Sequence, residues 1–273
     1  MLDAFPAVQR GGADTAQCRF LAKAFARLAL LQGLSAEEVG QVAALARPRL
    51  VPAQRTVFSE GDPSRFLWVL LDGRVRLSHP RPDGRQHIVS FRGPVSALEL
   101  GPALDGRPVT ATATALDESI LASIPRQALG TLSVRYPLTI RNVIDQLCLE
   151  LRQRDIAMAI SALHDARGRV GCALLHLAKQ FGEPAGDGVR IAFRLSRQDI
   201  ADISGVTLET AIRILSQLQH QGVVRTRAQI IEIVDVRALS APAGCHDCQF
   251  DCSVFAPRDH GAAVNGAIYP SPA

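Results

Sequence analysis

The chain has 273 residues, of which 47% are hydrophobic and 21% charged, and it carries a formal net charge of +4. This length suits two modest domains with ordinary cores, and the composition argues against wholesale disorder. The slightly basic balance allows a nucleic-acid partner without establishing one. No apolar run reaches the roughly 18 residues of a membrane helix, and the N-terminus has no basic segment followed by an apolar one. We therefore expect a cytoplasmic protein with neither a membrane anchor nor a secretion signal.

The beginning of the sequence predicts two helices. Apolar residues recur at helical spacing over residues 18–31. Ser35 followed by Glu38 has the spacing of a capping box, in which each side chain hydrogen-bonds the backbone of the other residue. This box predicts the start of a short helix that continues through Leu45.

A series of short strands is predicted next. Between Leu50 and Ile124 the apolar runs are short and often alternate with polar residues. Asp72-Gly73 and Asp83-Gly84 separate such runs and are interpreted as hairpin turns. Strands at this spacing indicate a small antiparallel β-roll. With the preceding helices, the roll forms a predicted sensor domain over residues 18–133.

A long helix is predicted from Leu138 to about Leu163, within a segment of residues 134–165. A stripe at four- and three-residue spacing, typical of a coiled-coil seam, predicts that this helix joins two copies of the chain. The alternative is a helix that packs only on its own domain. The predicted dimerisation residues are Ile140, Ile144, Leu147, Leu151, Arg154 and Met158.

Residues 166–240 are predicted to form a winged helix-turn-helix domain. It begins with a helix over residues 170–181, a break rich in Gly and Pro, and a strand over residues 189–195. After the two central helices, strands over residues 223–225 and 230–234 form a hairpin. Its connection, around Arg227, is expected to be a wing near DNA phosphates.

The two central helices carry clear boundary signals. Ser196 is a suitable N-cap for a helix over residues 197–203. Gly205 supplies the turn, and Thr207 caps a second helix that ends at Gly222. The residues predicted to face inward are Ile200, Ile203, Val206, Leu208, Ala211, Leu215 and Leu218.

The outward face of the second helix is predicted to meet DNA. Glu209, Ile212, Arg213 and Ser216 lie on this face in its N-terminal half, where recognition helices contact base edges. The alternative is an ordinary helical hairpin. The combined spacing of caps, a small residue at Ala201, a glycine turn and a following hairpin favours double-stranded DNA as partner.

From about residue 18 to residue 240 the sequence resembles the CRP/FNR family of bacterial transcription regulators. The resemblance implies that Glu209 and Arg213 read a C·G pair, the carboxylate accepting from cytosine N4 and the guanidinium donating to guanine O6 and N7. FNR-like members usually have a serine before that arginine. Here Ile212 cannot hydrogen-bond but could meet a thymine methyl group, so the outer half-site bases stay open. The resemblance also implies a contact with RNA polymerase. The further candidates for DNA contact are Ser196, Arg197, Thr207, Thr210 and Arg227.

In the same family, cyclic-nucleotide members carry a phosphate-binding cassette. A glutamate binds the ribose hydroxyl, and an arginine with a serine binds the cyclic phosphate. Glu99 and Gly101 match this cassette, but Val109 stands at the arginine position and Thr110 follows it. Arg107 is expected on the wrong side of the loop. Since a buried phosphate would lack its charge partner, we expect no cyclic nucleotide.

Three cysteines are crowded near the C-terminus, within residues 241–273. Cys245, Cys248 and Cys252 form a C-x-x-C-x-x-x-C pattern, which can hold a metal ion or an iron–sulfur cluster. The alternatives are incidental cysteines, or zinc with His246, His260 or a distant residue as fourth ligand. The other cysteines, Cys18, Cys148 and Cys172, are scattered, and a disulfide framework is not expected in the cytoplasm.

The resemblance favours the cluster. Most FNR-type oxygen sensors carry cluster cysteines near the N-terminus, where only Cys18 stands. A smaller branch carries three cysteines at the C-terminal end and completes a [4Fe–4S] cluster with a carboxylate. Asp145, Cys148 and Asp155 are the candidates for the fourth ligand.

Together these patterns predict an α+β protein with an antiparallel β-roll, a long dimerisation helix and a C-terminal winged helix-turn-helix. We expect a DNA-binding regulator that responds to redox state or oxygen. The alternative is a regulator that binds a nucleotide or haem in its β-roll. No nucleophile–base spacing, phosphate loop or paired carboxylates indicate an enzyme.

Overall fold

A computed structural model of the chain describes residues 15–186 and 188–240. These residues divide into two compact units, one ending at Leu149 and one beginning at Glu150. The predicted α+β architecture is confirmed, with an antiparallel roll in the first unit and a helix-turn-helix in the second. Across the described residues, no helix is both long and apolar enough to span a bilayer.

The first unit begins with two helices, α1 (Thr15–Phe25) and α2 (Ala36–Ala43), separated by a 3-10 turn at Ala29–Leu31. The predicted capping box at the start of α2 is present. The backbone N–H of Glu38 donates to Ser35 Oγ, and the Ser35 N–H donates to Glu38 Oε2 at 2.7 Å. The helix ends at Ala43, two residues before the predicted end.

Eight strands form two antiparallel sheets of four strands each. The first sheet has the order β1-β8-β3-β6, and the second has the order β2-β7-β4-β5. Two clusters of buried apolar side chains fill the unit, one of them against the N-terminal helices. The strands are β1 (Arg47–Val51), β2 (Thr56–Phe58), β3 (Phe66–Asp72), β4 (Val75–Pro80), β5 (Gln86–Arg92), β6 (Ser96–Leu98), β7 (Thr112–Ala115) and β8 (Ser119–Pro125).

One of the two predicted hairpin turns is wrong. Asp72-Gly73 joins β3 to β4, which belong to different sheets, so this turn carries the chain from one sheet to the other. Gly73 has a φ of +88°, and a Cβ there would lie 2.8 Å from Cα of Ser119. Both the conformation and the lack of space require glycine. Asp83-Gly84 does join paired strands, β4 and β5, as predicted.

Three further helices follow β6 and β8. Two were not predicted, α3 (Leu100–Asp105) and α4 (Arg126–Arg135). The third, α5 (Leu138–Leu163), has the predicted bounds and continues from the first unit into the second.

The second unit combines helices with a four-stranded antiparallel sheet of order β11-β12-β10-β9. The segment predicted as a Gly/Pro break forms β9, and β10 ends at Ile191 instead of continuing to residue 195. The elements are α6 (Ala166–Phe181), β9 (Gly182–Ala185), β10 (Gly188–Ile191), α7 (Arg197–Ser204), α8 (Leu208–His220), β11 (Val224–Arg227), β12 (Ile230–Ile233) and α9 (Val236–Ser240).

Candidate functional site

The helix-turn-helix is formed by α7 and α8, and side-chain caps fix where each helix begins. Ser196 Oγ accepts from the Asp199 N–H at 3.0 Å, and Asp199 Oδ2 accepts from the Ser196 N–H at 2.9 Å. Thr207 Oγ1 accepts from the Thr210 N–H at 3.2 Å. Between the helices, Gly205 has a φ of +62°, in the left-handed region that favours glycine. The predicted caps and turn are present, while the contribution of Asp199 was not predicted.

Helix α8 presents two contrasting faces. Its buried face consists of Ala211, Ile214, Leu215 and Leu218, and its exposed face includes Glu209, Ile212, Arg213 and Ser216, as predicted. The prediction that Leu208 faces inward is wrong, because its side chain is 40% exposed. Leu208 is the first residue of the helix, which reaches the core only from Ala211 onwards. Ile214 was missed, although its spacing from Ala211 and Leu218 places it on the same buried stripe.

Arg169, which is partly buried, donates hydrogen bonds to the turn between α7 and α8. From α6, Arg169 donates through Nε to the carbonyl of Ser204 at 3.1 Å and through a terminal nitrogen to that of His164 at 3.2 Å. Its other terminal nitrogen lies 3.5 Å from the Gly205 carbonyl. A cation is favourable at the C-terminal end of α7, where the helix carbonyls carry partial negative charge. Sequence reasoning missed Arg169, whose only signal is a basic residue beside a largely apolar helix face.

Two other predicted contact residues differ in their surroundings. Arg197 is partly buried at the start of α7, and this burial lowers the pKa of its guanidinium below the usual value. Arg227 is exposed and ends β11, so the connection of the wing is shorter than predicted. That connection consists of Ala228 and Gln229, both with positive φ, and the Gln229 carbonyl accepts from the Leu195 N–H at 2.8 Å.

The predicted seam on α5 is largely exposed. Ile140, Ile144, Leu151 and Met158 each keep 45% or more of their surface accessible, and Arg154 is exposed among them. Leu147 differs from these residues because it is half-buried and packs against the apolar cluster of the first unit. Apolar side chains on a soluble surface are stabilised when a partner covers them.

In the cassette of the β-roll, Glu99 is hydrogen-bonded to Thr110 of the same loop region. The Glu99 carboxylate accepts two hydrogen bonds from Thr110, one from its N–H at 2.7 Å and one from its hydroxyl at 2.8 Å. Val109 is buried in the apolar cluster of the β-roll interior. Arg107 is exposed and lies 3.8 Å from Asp105. Val109, which the resemblance places at the position of the phosphate-binding arginine, is therefore a residue of the apolar core.

The predicted cluster cysteines lie outside the described residues. Of the candidate fourth ligands, Asp145, Cys148 and Asp155 are all exposed on α5. Within residues 18–186 and 188–240, no group of three or more His, Cys, Asp or Glu side chains is arranged to hold a metal ion.

Comparison with known proteins yields two family models and many relatives. A model of the Crp-like helix-turn-helix domain matches residues 168–241, and a model of the cyclic nucleotide-binding domain matches residues 48–136. A CRP-like cAMP-activated global transcriptional regulator of Mycobacterium tuberculosis is 28% identical over 218 residues, which cover 80% of this chain and 97% of that protein. A probable transcriptional activator of Rhizobium leguminosarum bv. viciae is 31% identical over 182 residues, covering 65% of this chain and 72% of that one. The structure of FixK2 from Bradyrhizobium japonicum is similar with a TM-score of 0.63 and 25% identity, covering 72% of this chain and 96% of that one.

Proposed function

The chain belongs to the CRP/FNR family of DNA-binding transcription regulators, and from that premise we propose how it recognises DNA, assembles and responds to a signal. We propose that it binds a two-fold symmetric DNA site as a homodimer. We further propose that redox state or oxygen controls this binding through Cys245, Cys248 and Cys252. The observation that carries the DNA part is the pair Glu209 and Arg213, exposed four residues apart on the recognition helix α8.

Base recognition follows from the chemistry of that pair. A carboxylate at Glu209 can accept from the amino group of cytosine, and the guanidinium of Arg213 can donate two parallel hydrogen bonds to guanine. Four residues make about one turn of a helix, so the two side chains emerge side by side and can address one base pair. We assign these residues to a C·G pair in each half-site.

Phosphate contacts orient such a helix without carrying sequence information. The N-terminal ends of α7 and α8 present the backbone N–H groups of their first turns, next to the capping residues Ser196 and Thr207 and to Thr210 one turn further on. Helix N-termini attract phosphate through these groups. Arg197 and the exposed Arg227 of the wing add positive charge, and we assign both to the backbone.

The exposed stripe on α5 supports the homodimer. In a parallel pair of such helices, Ile144, Leu151 and Met158 would each meet their own copies. Arg154 would also meet its copy, and the repulsion between two guanidinium groups would weaken the dimer. We therefore infer an association that the signal can shift. In this family setting we also propose a contact with RNA polymerase.

The dimer part is tested by sedimentation of Leu151→Glu against Val134→Glu. Both changes place a charge at an exposed apolar position, but Val134, 83% exposed on α4, lies outside the stripe. We expect Leu151→Glu to sediment as a monomer and to bind DNA weakly, while Val134→Glu behaves as the wild type. A dimeric Leu151→Glu would show that α5 is not the interface.

The signal is assigned to a cluster for chemical reasons. Closely spaced thiolates suit a [4Fe–4S] cluster, and the resemblance implies a carboxylate as the fourth ligand. Asp145 and Asp155 are exposed carboxylates on α5, and Cys148 is an exposed thiol on the same helix. Such a cluster supplies sensitivity to oxygen when bound. Holding it would tie the C-terminal segment to α5 and stabilise the DNA-binding dimer, so its loss would shift an equilibrium without changing α8.

Iron and sulfide analysis of full-length protein kept from oxygen tests the cluster directly. We then expect Cys248→Ser to bind operator DNA poorly, whereas Cys18→Ser, which changes an exposed cysteine of α1, binds as tightly as the wild type. If Cys248→Ser binds operator DNA as tightly as the wild type, the cysteines are not the sensor. In that event a small molecule in the β-roll becomes the leading candidate, and a sharp Soret band would identify haem.

A further inference from the structure

Two large apolar side chains stand exposed on α8 beside the proposed base-reading pair. Leu208 is 40% exposed and Ile212 is 44% exposed. They are four residues apart and therefore neighbours on one face of the helix, about 6 Å apart along its axis. Glu209 and Arg213 follow each of them by one residue, so an apolar pair and a charged pair run side by side.

The surface that meets this helix must offer an apolar group next to hydrogen-bonding groups. In the major groove the C5-methyl group of thymine is the apolar feature of the base edges. We propose that Leu208 and Ile212 form a methyl-reading pair that selects thymine at the base pairs adjacent to the one read by Glu209 and Arg213. This inference rests on the proposed function, since it requires α8 to lie in the groove.

The spacing of the two apolar side chains allows them to contact two different bases. Their separation of about 6 Å along the helix axis is the same as that of Glu209 and Arg213, which are assigned to the two bases of one pair. Each side chain can therefore reach its own thymine methyl group. Neither side chain can accept a hydrogen bond from the amino group of cytosine or adenine, and desolvating such a group without a partner is unfavourable. The pair thus favours thymine through its methyl group and disfavours cytosine at the same position.

The test begins with full-length protein kept from oxygen and a randomised duplex library, from which bound sequences are selected. In the selected site each thymine is then replaced singly by deoxyuridine, which lacks only the methyl group. We expect one or two positions next to the G·C pair to bind about fourfold more weakly per methyl lost, or about 0.8 kcal/mol. Cytosine at those positions should weaken binding further, and 5-methylcytosine should restore part of the loss.

Matched variants assign the effect to the two side chains. Leu208→Ala with Ile212→Ala should bind the thymine and deoxyuridine sites equally while keeping its preference for the G·C pair. His220→Gln, which changes an exposed residue at the C-terminal end of the same helix, should keep the preference for thymine. Both variants replace exposed side chains, and thermal melting verifies that they fold.

Separate outcomes identify which inference fails. If the wild type discriminates G·C through Arg213 but binds thymine and deoxyuridine sites equally, the methyl-reading pair is refuted and the proposed function stands. The pair is likewise refuted if the double alanine variant alters oligomeric state and leaves base preference unchanged, because the two apolar side chains then serve a protein contact. If the wild type selects no sequence at all, DNA recognition by α8 fails, and the methyl-reading pair fails with it.

Discussion

The recognition helix α8 and the cassette of the β-roll use their polar groups in opposite ways. On α8, Glu209 and Arg213 are exposed at the surface. In the cassette, the Glu99 carboxylate already accepts two hydrogen bonds from Thr110, and Val109 is buried at the neighbouring position. Both hydrogen bonds reach Oε2 of Glu99, and an oxygen that is already bonded within the fold gains little from a ligand, because the new hydrogen bond only replaces an old one. The two regions therefore differ in how much bonding capacity they leave for a partner.

The largest expected effect follows from placing a cation in the cassette. Val109→Arg should destabilise the β-roll by about 3–5 kcal/mol, the cost of a buried charge without a partner. Val109→Ile, which stays apolar, should cost far less. Urea unfolding followed by Trp68, the single tryptophan of the chain and a residue of β3, measures this loss. If Val109→Arg leaves the free energy of unfolding unchanged, the cassette can accept a cation, and the contrast with α8 would disappear.

Acid should weaken the unit of the recognition helix selectively. Burial, and to a lesser extent the nearby charge of Lys179, lower the pKa of His176 on α6 from 6.5 to about 4. The folded unit therefore holds His176 neutral while the unfolded chain takes up a proton. The contribution of neutral His176 to the stability of the unit is fully present above pH 6.5 and is lost as the pH falls towards 4. The loss is at most about 3 kcal/mol, because the side chain keeps some exposure.

Two probes separate this acid effect from the β-roll. Circular dichroism follows the helices of both units, whereas Trp68 fluorescence reports the first unit alone, so a change seen only by circular dichroism belongs to the second unit. Between pH 6.5 and 4, His176→Gln should lose less stability by circular dichroism than the wild type. His220→Gln changes an exposed histidine of α8 and serves as the control. An identical pH dependence in the wild type and His176→Gln would show that His176 is not the titrating group.

Base discrimination gives a smaller effect, confined to DNA binding. Arg213→Ala should lose about 1–3 kcal/mol of preference for one G·C pair in each half-site, while the fold stays intact. Arg227→Ala removes a proposed phosphate contact, so it should weaken binding to all sequences alike and reduce the salt dependence. Binding to specific and random duplexes at several salt concentrations distinguishes the two. If Arg213→Ala weakens binding to the specific and the random duplex equally, Arg213 does not read a base.

The last prediction is that cyclic AMP does not change the stability of the protein. Cyclic AMP at millimolar concentration should leave the melting temperature of the wild type unchanged, because Val109 offers no charge to pair with the cyclic phosphate. A ligand present at 100 times its dissociation constant would stabilise the fold by about 2.7 kcal/mol. A clear upward shift would therefore show that the cassette binds the nucleotide despite Val109.

Sequence reasoning succeeded where the signal is local. The capping box of Ser35 and Glu38 and the bounds of α5 depend on residues within a few positions of one another, and both were predicted. The turn at Asp72-Gly73 was misassigned because nothing in its sequence says which sheet the next strand joins. Strand β9 was missed because its Gly- and Pro-rich sequence is strand only through pairing with β10.

The candidate site shows the same limit. Helical periodicity gave the exposed face of α8 correctly from Glu209 onwards. It placed Leu208 inward because the periodic pattern does not show that the first turn lies beyond the core. The partners of Arg169 could not be predicted, because its three acceptors are main-chain carbonyls, which every residue type supplies.

The reliance of Arg169 on carbonyl acceptors has a consequence for how the domain tolerates mutation. Every residue type offers the same carbonyl oxygen, so the side chain at His164 can vary without touching the hydrogen bond that its backbone makes. Arginine at 169 has no such freedom, since lysine cannot direct donors to three oxygens in a fixed fork. Random mutagenesis with selection for DNA binding should therefore recover many residues at position 164 and almost none but arginine at 169.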